Sequence, residues 1–258
     1  MRLRIKLLTI IGLVIVGESV YSQQYDWENP EITKINNEPA RSTFIPHSNT
    51  FSALSFTDEQ SSYYKSLNGN WKFIWVKSPL DVPKDFYLPE YNTNNWDNIY
   101  VPGNWQLQGN YDPPIMTNIK YPFPADPPKV PKDTNSTGLY KTTFSIPNSW
   151  KDKQVFLHFA GAQSALYVWI NGKRIGYHED GMLPAEFNIT SLVQKGENTL
   201  TAQVINWSDG SYLEDQDYWR LSGIYRDVFL FCTPEVHIRD FQVKTDLDNE
   251  YQDALLNL

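Results

Sequence analysis

The sequence predicts an all-β protein built as a β-sandwich, on three observations. Short runs of alternating apolar and polar residues recur along the chain, the two-residue period of strands with one buried face. Asn-Gly pairs or single glycines punctuate these runs, which marks tight turns between short strands. Aromatic residues make up 15% of the chain, with nine Trp and sixteen Tyr, a bias that suits pleated sheets and surfaces that meet sugars.

Taken in order, residues 1–22 read as a secretory signal peptide. Arg2, Arg4 and Lys6 form a positive start, residues 7–17 an apolar run, and Val20, Tyr21 and Ser22 a cleavage site. The mature chain is expected to begin near Gln23, and the protein to be exported, periplasmic or secreted. The apolar run falls short of the about 20 residues that span a bilayer, so no membrane anchor is expected. Since Gln23 is not a cysteine, no lipid-acylated terminus is expected either.

Residues 23–61, with D-W-E-N-P at 26–30, show little periodicity and read as an extended arm that packs on something else. The sandwich is expected over 62–233. Its first strand is 67–75, where Trp71, Phe73 and Trp75 share one face. Further strands are expected at 140–146, 154–159, 165–170, 173–177, 186–189, 199–207 and 224–231, with a two-residue turn at Asn171 and Gly172 and one helical turn at 189–193. The stretch 102–131 carries Pro113, Pro114, Pro122, Pro124, Pro127 and Pro128. A loop of that length inside a compact domain is usually functional, and its prolines favour one preset conformation. Residues 236–245 alternate again, as V-H-I-R-D-F-Q-V-K-T. That strand has no sheet to join, so 234–258 is expected to open a second, truncated sandwich; a frayed tail is the competing reading.

Composition excludes some functions. The net charge of -8 and the lack of a basic stripe argue against nucleic acid. Cys232 is the one cysteine, so no intrachain disulfide can form and the 41% hydrophobic fraction must supply the core.

The segment 207–227, W-S-D-G-S-Y-L-E-D-Q-D-Y-W-R-L-S-G-I-Y-R-D, is the best clue to function. Asp209, Glu214, Asp215 and Asp217 offer carboxylate acceptors, and Tyr212, Tyr218 and Trp219 flat apolar faces, which together suit a hydroxyl-rich ligand. Spacing alone favours acids that pair with Arg220 and Arg226. Trp207, Tyr212 and Trp219 read as core or interface aromatics before sugar platforms. His47, His158, His178 and His237 are scattered without metal spacing, with His158 a satisfied core residue on a strand. Asn135 opens an N-S-T glycosylation match, idle beside a bacterial-type export signal.

Several segments together resemble the amino-terminal sugar-binding domain of glycoside hydrolase family 2 β-galactosidases of the bacterial lactase type. They are D-W-E-N-P at 26–30, S-L-N-G-N-W-K-F at 66–73, V-P-G-N-W-Q at 101–106, P-I-M-T-N-I-K-Y-P at 114–122, N-G-K-R-I-G-Y at 171–177, and W-S-D-G-S-Y-L-E-D-Q-D-Y-W-R at 207–220 followed by S-G-I-Y-R-D-V at 222–228. The last is highly specific, whereas any hairpin can produce the N-G motif. The resemblance implies a jelly-roll, galactose-binding-like sandwich, then an immunoglobulin-like sandwich of which only the first strand is present, then a (β/α)8 barrel. It implies retaining hydrolysis by two glutamates of that barrel, neither of which this chain matches, so the fragment alone is expected to be inactive.

By the same resemblance Asn118 and Asp217 line the galactose pocket, and Asp217 helps to hold a sodium ion; Mg2+ is implied only in the barrel. The partners implied are a galactoside, the downstream domains and a second copy met through the arm. Glu214 and Asp215 stay with the structural reading. Two alternatives remain open: a stand-alone carbohydrate-binding module, and another activity of the same family, β-glucuronidase or β-mannosidase.

Overall fold

The computed structural model describes residues 25–214 and 217–258; the expected signal peptide, the mature start at Gln23 and Asp215 lie outside the described residues. The strands in chain order are β1 (Lys34–Ile35), β2 (Tyr64–Ser66), β3 (Gly69–Val76), β4 (Asp97–Val101), β5 (Ile115–Thr117), β6 (Thr137–Ser145), β7 (Gln154–Phe159), β8 (Ala165–Ile170), β9 (Lys173–His178), β10 (Ala185–Asn188), β11 (Glu197–Ile205), β12 (Tyr218–Arg220), β13 (Val228–Thr233), β14 (Lys244–Leu247) and β15 (Ala254–Asn257). One short helix, α1 (Thr50–Ala53), is capped by Asn49, whose side chain accepts from the Ser52 amide at 2.9 Å.

Two antiparallel sheets form the sandwich. The larger has the order β1-β9-β8-β11-β6-β3-β4 and the smaller β10-β7-β13-β2. Alternation decides what each strand buries. On β11, Leu200, Ala202 and Val204 point into the core between the sheets, where they meet Leu157 and Phe159 of β7 and Val228 and Leu230 of β13. Removing that apolar surface from water, at about 25 cal/mol per Å2, is the main force holding the layers together. Asn171 and Gly172, with φ of 50° and 80°, make the expected two-residue turn between β8 and β9. The Asn171 side chain then braces the turn, accepting from the Thr199 amide at 2.8 Å and donating to the Leu192 carbonyl at 3.0 Å.

The arm covers the outer faces of both sheets. Trp27 packs with Tyr177, Ile205 and Trp207 on the large sheet, and Ile45 with Phe156, Phe229 and Phe231 on the small one. These outward aromatics of the strands therefore have cover that simple alternation does not show.

Two expected strands differ. The run 224–231 enters its ladder only at Val228, because the carbonyl of Ile224 is taken by the amide of Gly103 at 2.8 Å. Residues 236–243 form no strand, and the chain resumes extended structure at β14, which pairs with β15 as a hairpin. The alternating side chains of 236–243 are used as tethers: Arg239 reaches Glu186 at 3.0 Å and the Pro39 carbonyl at 2.7 Å, while Asp240 accepts from the Ser42 amide at 2.8 Å. At Phe241 the carbonyl accepts from Ser42 Oγ at 2.7 Å and the amide donates to Asp240 Oδ1 at 2.9 Å, so there the arm and a side chain take the place of a ladder.

Candidate functional site

The proline-rich loop is ordered by pairing with the acidic segment. Strands β5 and β12 form a separate two-stranded ribbon with the register Tyr218↔Thr117, Trp219↔Met116 and Arg220↔Ile115. Arg220, buried at 4% exposure, donates from Nε to Thr117 Oγ1 at 3.2 Å. Below the ribbon Tyr121 donates to the Tyr212 carbonyl at 3.0 Å, and Tyr212 donates to the Lys129 carbonyl at 2.5 Å while accepting from the Asp126 amide at 3.1 Å. Edge-on rings of Phe123, Tyr212 and Trp207 fill the space between.

The ribbon brings Asn118 and Asp217 together. They sit just beyond the last paired residues, and the Asp217 amide donates to the Asn118 carbonyl at 3.4 Å. Asp217 has φ of 55°, a left-handed conformation that Asp tolerates better than most residues at a cost on the order of 1 kcal/mol. Both residues are exposed. No hydrogen bond to the Asp217 carboxylate is present among the described residues. Asn118, with Met116, Thr117, Ile119 and Lys120, lines an open cleft of about 460 Å3.

The lobe that carries Asp217 is anchored from beneath. A 3-10 turn at Asp209–Tyr212 is closed by Ser208 and Ser211, each side chain bonding the other's backbone amide. The Gly210 amide donates to Glu179 Oε1 at 3.0 Å, and the Tyr177 hydroxyl donates to the other Glu179 oxygen at 2.6 Å. Burial first, then the Glu179 carboxylate beside it, pushes Asp209 up to about 8. Glu214 is tied to Ser164, whose hydroxyl lies 3.0 and 3.1 Å from its two carboxylate oxygens. Arg226, offered by the sequence as an ion-pair partner, instead donates to the Met182 carbonyl at 2.9 Å.

Other sequence readings sort plainly. Trp207 is buried and Tyr212 half-buried against it, whereas Trp219 is 51% exposed on the outward side of the ribbon. His158 is a buried strand residue bonded to Glu186 at 3.1 Å. Asn135 is fully buried and exchanges two 2.8 Å hydrogen bonds with the Trp207 backbone. Ser164 and Glu179 were not legible as parts of this region, since nothing in their local sequence shows that the β7–β8 turn and the end of β9 meet the lobe. Among the described residues no group of three or more His, Cys, Asp or Glu side chains is placed to hold a metal by itself.

The sandwich thus carries two exposed polar residues, Asn118 and Asp217, side by side at the end of one ribbon. A model of the glycosyl hydrolases family 2 sugar binding domain matches residues 64–234, and the chain belongs to that family. It is 47% identical over 238 residues to a curated β-galactosidase of Priestia megaterium (strain DSM 319 / IMG 1521), covering 90% of this chain and 23% of that protein. Among solved structures it is similar to a β-glucuronidase from an uncultured Clostridium species (TM-score 0.55, 27% identity, 75% of this chain and 32% of that one). A β-glycosidase from Bacteroides vulgatus matches with TM-score 0.53 and 26% identity over 72% of this chain and 22% of that one. The chain thus spans about a quarter of the curated relative and about a third or less of these solved chains.

Proposed function

We propose that this chain is the amino-terminal domain of an exported retaining β-galactosidase, and that Asn118 and Asp217 complete a galactose pocket whose catalytic part lies in a downstream barrel. One observation supports it above the rest: β5 and β12 set side by side two exposed polar residues from distant parts of the sequence. The 47% identity to a β-galactosidase supports the substrate.

The chemistry of the pair fits. The Asn118 amide donates to one sugar hydroxyl and accepts from another, and the Asp217 carboxylate accepts hydroxyl protons. A sodium ion, the cation implied for this family, takes hard oxygen ligands. The exposed, unpartnered carboxylate of Asp217 suits it, with the remaining ligands supplied from outside the described residues. Its charge would help to orient galactose hydroxyls. Bond cleavage belongs to two glutamates about 5 to 5.5 Å apart in a retaining site, and this domain's part is to bind and orient the sugar. Export rests on Arg2, Arg4, Lys6 and the apolar run that follows.

The β-glucuronidase names among the structural neighbours favour a second reading, in which the sugar carries a carboxylate. Hydrolysis of nitrophenyl galactoside and glucuronide by the full-length polypeptide separates them. A galactoside preference of at least about 100-fold is expected, and a glucuronide preference would replace the first reading. A free binding module would instead hold galactosides with no downstream barrel and hydrolyse neither.

A further inference from the structure

We infer that Ser164 and Glu214 are positioning residues for Asp217, joined in a directed hydroxyl chain that ties the site lobe to the sandwich core; this rests on the reading of Asp217 as a sugar contact. Three side chains lie in sequence: Ser208 Oγ is 2.6 Å from Ser164 Oγ, which is 3.0 and 3.1 Å from the two Glu214 carboxylate oxygens. A carboxylate only accepts, so the single Ser164 proton goes to Glu214. Ser164 must then accept from Ser208, and Ser208 in turn accepts from the Ser211 amide. Each proton has one place to go, which fixes the rotamers of both serines.

The anchor end is rigid. Ser164 is 1% exposed, its amide donates to the Ile205 carbonyl at 2.9 Å, and its neighbour Gln163 exchanges two backbone hydrogen bonds with Gly223 at 3.1 and 3.2 Å. The other end is the lobe. Glu214 also closes the turn through its amide, which donates to the Gly210 carbonyl at 2.9 Å, and it precedes Asp217 by one short span of chain. Asp217 is held on its far side by the β5–β12 ladder. Asp217, left-handed at φ 55°, thus lies between the hydroxyl-bonded Glu214 and a three-residue ribbon. Such conformations persist where the surrounding structure holds them, and small misplacements of a binding group weaken affinity strongly.

The experiment measures isopropyl β-D-thiogalactoside binding by calorimetry in the full-length polypeptide, with melting temperature recorded alongside. Ser164→Ala and Glu214→Gln are each expected to raise Kd about 5- to 20-fold. The double variant is expected to be no weaker than the worse single one, because one chain is cut either way. Wild-type Kd in both singles, while Asp217→Ala loses binding, overturns the positioning role and leaves the Asp217 reading standing. Wild-type Kd in Asp217→Ala overturns both. Should Ser164→Ala lower the melting temperature, the half-exposed Glu214→Gln variant decides alone.

Discussion

Two carboxylates, one on a strand of the smaller sheet and one at the end of the β5–β12 ribbon, differ sharply in how they are bonded. Glu186, on β10, is 6% exposed and takes Arg41 from the arm at 2.9 Å, His158 from β7 at 3.1 Å and Arg239 from the segment after β13 at 3.0 Å. Asp217 is exposed, with no such partner among the described residues and with a strained backbone. The saturated acid is structural and the unsaturated one is available to ligand. Glu186 also joins three separate parts of the chain, while Asp217 bonds, among the described residues, only through its amide to the Asn118 carbonyl.

The largest effect is expected at Glu186. Its replacement by Ala leaves two guanidinium groups facing a buried, empty position, and such breakage costs about 3–5 kcal/mol; urea unfolding should show it, and a loss below about 1 kcal/mol would reduce the cluster to decoration. The pH dependence follows from the same group. Burial alone would raise the Glu186 pKa, but hydrogen bonds from His158 and Arg41 and the Arg41 charge outweigh it and hold the carboxyl at about 2, against 4.5 for the free group. A depressed folded pKa contributes stability that is present above about 4.5 and lost as pH falls toward 2. The shift corresponds to about 3 kcal/mol over that window, and acid unfolding of Glu186→Gln should lack this component.

Asp217→Ala should cost unfolding no more than about 1 kcal/mol, from its left-handed backbone, yet reduce kcat/KM for a galactoside about 100-fold, the size of one lost charge-assisted contact of about 1.5–3 kcal/mol. Asn118→Ala should cost less, about 5- to 10-fold, as a neutral hydrogen bond is worth about 1 kcal/mol. Destabilisation by either change, without kinetic loss, would erase the contrast between the two regions.

Much of the sandwich was legible in the residues. Runs 154–159 and 165–170 match β7 and β8 to the residue, because each buries a continuous apolar set between clear turn signals. The short strands β1, β2, β5 and β12 were not, since two or three residues carry no period and their pairing is decided by topology. The alternation of 236–245 misled for a physical reason: Arg239 and Asp240 are tethers to the arm, and Val236 is 91% exposed. Within the site, Asn118 and Asp217 came from motif resemblance, and their adjacency only from the ribbon. The Glu186 cluster needed the β7–β10 register that sets it opposite His158, and no local sequence signal marks a cross-strand partner.

The most direct test of the account is calorimetric titration of the full-length polypeptide and its Asp217→Ala variant with isopropyl β-D-thiogalactoside, at matched melting temperature. The first should bind, and the second should bind with a Kd at least about 30-fold weaker, the share of about 2 kcal/mol that one carboxylate contact supplies. Equal Kd values would contradict it, and would return Asp217 to the surface as an acid without a ligand.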